Sequence, residues 1–341
     1  MKRVILLMLI VFLITGCNKK DNIRQVNVLN WSSYIPSEVI VGFEKETGIK
    51  INYGTYSSNE ELLAKVSNAK DGTYDVIFPS DYMIEIMKKR NMLEIIEHDK
   101  LKNIHNLNTN YLNLEYDILN NYSLPFVVTT TLIAYNSEVI TEEIKSYNDL
   151  LNPKYENEIV LIDDQRIVIG MALLANGFNM NSTDYNELQV AKEWLLKLKD
   201  NIKAYDSDSP KNFLISKEAS IAVLWNAEGA LATMYNNDIK TVFPKEGIAL
   251  SIDNFAIVKG AKNTSEAYTF IDYVLRPDVM KLIIESYPYK NINKYTDNLL
   301  GQSYLSNPAS NIADSTIASA YFVKNIGTHI KEYDKLWIEI K

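Results

Sequence analysis

Cysteine is nearly absent from the 341 residues: Cys17 is the single one. A lone cysteine closes no internal disulfide, so the fold must rest on its apolar core. Histidine is almost as scarce. The three, His98, His105 and His329, lie scattered among Lys, Asn and Asp, and neither an H-E-x-x-H helix nor paired cysteines offers a metal site. The chain has twelve glycines. It contains no Walker loop, G-x-G-x-x-G fingerprint or G-x-S-x-G elbow, so no phosphate-cradling or serine-hydrolase motif is present and no cofactor is implied. Internal repeats, low-complexity runs and long linkers are also missing.

What is present begins with Lys2 and Arg3, an unbroken apolar run from Val4 to Ile14, and then Thr15-Gly16-Cys17. About twenty apolar residues are needed to cross a bilayer, so this run is too short for a durable span and reads as an export signal. Leu13-Ile14-Thr15-Gly16-Cys17 is similar to the lipobox of bacterial lipoproteins. Residues 1–17 are therefore expected to be a signal segment ending at an acylated Cys17, with residues 18–25 as a polar tether to the membrane. Loss of Lys2 and Arg3 takes the 35 basic residues to 33 against 43 acidic ones, a balance of −10. That excess argues against nucleic acid and favours a cationic ligand.

Apolar residues make up 47% and charged residues 23% of a chain longer than one core usually serves, so two compact lobes are expected. From Val26 onward, short apolar runs alternate with helical patterns, the signature of an α/β fold with mainly parallel sheets flanked by helices. Strands are predicted at Val26 to Leu29, Ile49 to Tyr53, Val76 to Phe78, Ile159 to Ile162, Ala219 to Leu224 and Phe255 to Val258. Pro36 and Gly48 bracket a helix whose inner face is Val39, Ile40 and Phe43. Ser58-Asn59-Glu60-Glu61 reads as a capping box, Leu188, Ala191, Leu195 and Leu198 fall at helical spacing, and Pro277 opens another helix. The crossings between lobes are expected around Val127 to Ala134 and Gly247 to Asp253. They divide the chain into residues 26–130 plus 253–310 and residues 131–252 plus 311–341.

Aromatic residues recur beside carboxyls or hydroxyls at strand-to-helix turns, where α/β folds place their ligands. Trp31-Ser32-Ser33-Tyr34 follows the first strand, and Pro79-Ser80-Asp81-Tyr82 the third. Asp163-Asp164 and Trp225-Asn226-Ala227-Glu228 follow two more. Asp253 precedes Phe255, and Tyr287-Pro288-Tyr289 lies further on. An alkylammonium leaving water needs a carboxylate or a ring face, and the methylenes beside it need flat apolar walls. A polyamine demands both together. Other readings stay open on these residues alone: a surface hydrolase using Asp163 and Asp164, a sensor or adhesin on the same fold, or a binder of another small organic cation.

At these stretches the chain resembles the spermidine/putrescine-binding proteins of bacterial ABC importers. The resemblance runs from about Val26 to Leu300. It is carried by Asn30-Trp31-Ser32-Ser33-Tyr34-Ile35-Pro36, by Phe43 to Lys50, by Tyr74-Asp75-Val76-Ile77-Phe78-Pro79-Ser80, by Phe243-Pro244-Lys245-Glu246-Gly247 and by Leu275-Arg276-Pro277-Asp278-Val279. It implies a type II periplasmic-binding fold of two hinged lobes, no enzymatic activity, a monomer held in the periplasm or at the cell surface, and an ABC permease as partner. It also implies ligand contacts at Trp31, Ser32, Tyr34, Ser80, Tyr82, Asp164, Trp225, Asp253 and Tyr289. Four positions depart from the spermidine-binding pattern: Ser33 and Ile167 replace acids, Ser251 a tryptophan and Val323 a glutamine. Glu228 stands where putrescine-selective relatives carry an aspartate, so the balance leans toward a diamine gripped by Glu228 and Asp253.

Overall fold

The structure, a computed structural model, describes residues 24–341. The expected signal segment, Cys17 and most of the tether lie outside the described residues. Among the described residues, eleven strands form one continuous hydrogen-bonded system: β1 (Gln25–Trp31), β2 (Lys50–Tyr56), β3 (Val76–Ile77), β4 (Leu124–Asn136), β5 (Ile159–Leu161), β6 (Ile202–Tyr205), β7 (Ile221–Trp225), β8 (Ile239–Val242), β9 (Ala249–Ile257), β10 (Lys290–Asn291) and β11 (Tyr321–Phe322). The helices that matter for the site are α1 (Ser37–Thr47), α2 (Asn59–Asn68), α3 (Asp81–Lys89), α4 (Gln165–Ala175), α5 (Tyr185–Leu198), α6 (Lys211–Ile215) and α7 (Asn226–Tyr235).

The strand order is β2-β1-β3-β9-β4-β7-β5-β6. At one end β2, β1 and β3 are parallel, and at the other so are β7, β5 and β6. Both groups arise from β-α-β units, because a crossover helix returns the chain in the same direction. The middle is different. Strand β4 pairs antiparallel with β9 through Leu124 to Thr130 and then antiparallel with β7 through Thr131 to Tyr135. The two segments expected as crossings thus fall within β4 and around the start of β9. The chain leaves one parallel group along β4 and comes back along β9, which makes the junction antiparallel and the sheet less uniformly parallel than its ends.

All thirteen residues of β4 are buried. A strand covered on both faces reads as a continuous apolar run rather than an alternation, and here polar Thr129, Thr130 and Thr131 interrupt that run. That is why the sequence hides a long strand here. Strands β6, β8, β10 and β11, of two to four residues each, also went unpredicted. Helix α1 ends as expected at Gly48, whose φ of 68° is left-handed and costs glycine nothing. The capping box is half as drawn: Ser58 Oγ accepts from Glu61 N at 3.1 Å, but the Glu61 carboxylate reaches back to Ser57 N at 2.8 Å. Behind the site, Phe78, Phe126 and Phe255 are fully buried with ring centroids 5.0 to 5.2 Å apart. Each such ring contributes about 1.5–3 kcal/mol by burial, and together they give the site a rigid floor. Among the described residues, no helix is long and apolar enough to cross a membrane.

Candidate ligand-binding site

The carboxyl ends of β1, β3, β5 and β7 converge on a cleft of about 820 Å³, counting its open mouth. It brings together all ten residues singled out from the sequence: Trp31, Ser32, Tyr34, Ser80, Tyr82, Asp164, Trp225, Glu228, Asp253 and Tyr289. The four departing positions, Ser33, Ile167, Ser251 and Val323, line the same space. For those after β1, β3, β5 and β7 the convergence follows from topology, since side chains just past the ends of parallel strands crowd the crevice where the strand order switches; Ser251 and Asp253 join them from within β9.

Asp253 is the centre of the site. It projects from β9 on the same face as Ser251, two residues earlier, because strand side chains alternate with period two. Its carboxylate accepts from Ser80 Oγ at 2.6 Å and from the Tyr34 hydroxyl through a short contact. Ser80 sits at the N-cap position of α3 yet makes no cap bond, its hydroxyl being turned to Asp253 instead. Asn59 holds Ser80 in place from α2, donating to Oγ at 3.1 Å and accepting from the Ser80 amide at 3.2 Å. Asp253 is only 2% exposed, and no lysine, arginine or histidine pairs with it among the described residues. Burial pushes its carboxyl up to about 6 against the pull of the two hydroxyl donors. The same burial, together with the nearby Asp253 charge, raises the Tyr34 hydroxyl well above its ordinary range. Tyr34 therefore stays a neutral donor.

Rings surround this carboxylate. Trp31 and Tyr56 lie 4.6 Å apart between centroids, Trp31 and Tyr34 6.2 Å, and Tyr34 and Tyr289 4.8 Å. Trp31 is anchored by its indole N–H to the Phe78 carbonyl at 2.8 Å, and Tyr56 donates to the same oxygen at 2.6 Å. Their polar edges are thus satisfied inside the protein, which leaves apolar faces for the cleft.

The other two acids are differently placed. Asp164 caps α4: its Oδ1 accepts from Arg166 N at 2.8 Å and Ile167 N at 3.2 Å, while Oδ2 has no hydrogen-bond partner among the described residues. Burial raises this carboxyl, and the backbone bonds and Arg166 oppose the shift. Arg166 is itself buried, bonded to the Lys324 carbonyl at 2.9 Å and to Asn181 Oδ1 at 3.0 Å. Glu228 lies in the first turn of α7, where the helix dipole favours an acid. It was expected to be an open grip, but Lys211 Nζ lies 2.8 Å from both of its oxygens. Burial raises Glu228, and Lys211 draws it back down.

Sequence reasoning missed Arg166, Lys211, Asn59 and Tyr56. Arg166 had a signal, two residues past Asp164 in a helix start, and Asn59 lay inside the capping box already noticed. Lys211 had none, since it lies 17 positions before Glu228, across the rest of α6 and all of β7. The hydrolase reading fails on geometry. Asp163 is an exposed partner of Lys341 and does not line the cleft, so it and Asp164 do not form a catalytic pair.

A crevice at a strand-order switch, walled by anchored rings around an unpaired carboxylate, is built to hold a solute, which defines the class: a solute-binding protein. The chain belongs to the bacterial extracellular solute-binding protein family, whose profile matches residues 38–306. It is similar to the spermidine/putrescine-binding periplasmic protein of Salmonella typhimurium, 36% identical over 313 residues that cover 92% of this chain and 90% of that protein. It is also similar to the putrescine-binding periplasmic protein PotF of Escherichia coli, at 30% identity, 84% of this chain and 82% of that one. A solved structure from Listeria monocytogenes, 33% identical, superposes with a TM-score of 0.89 over 93% of this chain and 98% of its own.

Proposed function

We propose that this protein captures a polyamine outside the cytoplasmic membrane and delivers it to an ABC permease. The carrying observation is Asp253: buried, without a cationic partner among the described residues, and held by Ser80 and Tyr34 among the rings of Trp31, Tyr34 and Tyr289. Such a carboxylate is completed by an alkylammonium, and the rings take up the methylenes. The names of the Salmonella and Escherichia relatives support the same ligand class. Ser33 and Ile167, standing where the spermidine-binding pattern has acids, favour a diamine such as putrescine over a triamine.

Two further features belong to this reading. Residues 26–130 with 253–310 and residues 131–252 with 311–341 form lobes that close on the ligand about β4 and β9. The monomer is tethered through an acylated Cys17, with the polar residues after it as spacer. Calorimetric titration with putrescine, spermidine and the guanidinium compound agmatine tests the proposal. Tight binding of an amine with unchanged recovery of the ligand supports it; binding of agmatine alone would replace polyamine with guanidinium as the ligand class.

A further inference from the structure

The Glu228 carboxylate, which lines the cleft, is already paired with an alkylammonium, that of Lys211, which is not itself a cleft-lining residue. Lys211 opens α6 directly after Pro210, and the preceding loop is pinned by Asp206 Oδ1, which accepts from Asp208 N at 2.8 Å and Ser209 N at 3.0 Å. Ser207 and Asp208 of that loop form part of the cleft wall. The lysine thus rises from a fixed segment beside the wall, and its side chain is 19% exposed where it meets a Glu228 side chain that is 9% exposed. A lysine head and the terminus of a polyamine are the same chemical group, a methylene bearing NH₃⁺. Of the three candidate acids, Asp164 lies beside Arg166, Glu228 is held by Lys211, and Asp253 has no cationic partner among the described residues.

We infer that Lys211 is a built-in counter-ion that fills the ammonium position at Glu228 and thereby sets selectivity against polyamines with a third charged nitrogen. The inference rests on the polyamine reading of the cleft. With Lys211 in place, a diamine has the buried carboxylates of Asp253 and of Asp164, whose Oδ2 has no partner among the described residues, for its two charges, and a third ammonium meets either a carboxylate that is already neutralised or the solvent-exposed Asp208. Taking a charged amine out of water without a partner is costly, so the triamine is disfavoured.

The test compares wild-type protein, Lys211→Met and Glu228→Gln, each titrated with putrescine and spermidine at pH 7.5. Lys211→Met keeps the stem and frees the carboxylate, so the spermidine-to-putrescine affinity ratio should rise at least about tenfold, the lower end of measured couplings between close charges. Glu228→Gln leaves Lys211 unpaired and should move the ratio the other way, because a trication is repelled more than a dication. Either variant decides alone if the other fails to fold. A ratio unchanged in a folded variant, or shifted the same way in both, overturns the role of Lys211 while leaving the polyamine reading standing. If the wild-type protein binds neither amine, the polyamine reading falls and this inference with it.

Discussion

Asp253→Asn removes one charge from the centre of the cleft with almost no change in shape. The amide can still meet Ser80 Oγ and the Tyr34 hydroxyl, since either hydroxyl can donate or accept. Ligand binding should suffer heavily. Truncating one member of a buried charge pair costs about 2–5 kcal/mol, which at about 1.4 kcal/mol per decade is a loss of roughly 30-fold to several thousand-fold in putrescine affinity. The unliganded protein should respond in the opposite sense. With its carboxyl raised by burial to about 6 in the folded state, Asp253 holds its proton more tightly folded than unfolded. Its stabilising contribution is therefore present below the unfolded value of about 4 and is lost as pH rises through 6. Above that, a shift of about two pH units corresponds to a destabilisation of about 3 kcal/mol, which the asparagine variant escapes. Thermal melts of the ligand-free proteins at pH 4 and pH 8 should show the variant gaining on wild type only at the higher pH. Wild-type affinity should fall roughly tenfold per pH unit just below about 6, as the site must first lose a proton, while the variant lacks this step and keeps only the dependence due to the other cleft carboxyls. An asparagine variant that binds putrescine within about threefold of wild type would refute the assignment of Asp253 as the ligand's counter-charge.

Three other outcomes are expected. Cys17→Ser should leave the protein unlipidated and free of membranes, because the run Val4 to Ile14 is too short to hold it; retention after a carbonate wash would refute the anchor. On the proposed two-lobe reading, saturating putrescine should reduce the radius of gyration in small-angle scattering, since a ligand gripped from both sides would stabilise the closed state by its differential affinity. An unchanged radius with binding confirmed would mean a rigid pocket. Gly247→Ala should destabilise by at least about 1 kcal/mol in denaturant melts: the residue has a φ of 113°, and a Cβ there would come within 2.7 Å of the Tyr321 ring. A neutral result would show that the turn into β9 relaxes freely.

Much of this protein is determined locally and is legible in order along the chain. The β-α-β rhythm, the helix from Pro36 to the left-handed Gly48, and the helix opened by Pro277 follow from side-chain period and turn chemistry, which act over a few residues. The ten cleft residues were legible as well, the stretches around β1, β3, β5 and β7 because parallel strands put the residues just past their ends on one rim, and the individual positions, Asp253 and Tyr289 included, through the family resemblance. What the sequence could not decide are relations between distant segments. The antiparallel run of β4 against β9 is hidden because a strand buried on both faces loses its alternation. Whether an acid is open or occupied depends on what lies opposite it in space: Asp253 and Glu228 look alike as acids near aromatic residues, yet among the described residues one has no cationic partner and the other is held by Lys211. Only the tertiary structure brings α6 onto α7, and a Coulombic interaction that falls off with distance through space has no signature in separation along the chain.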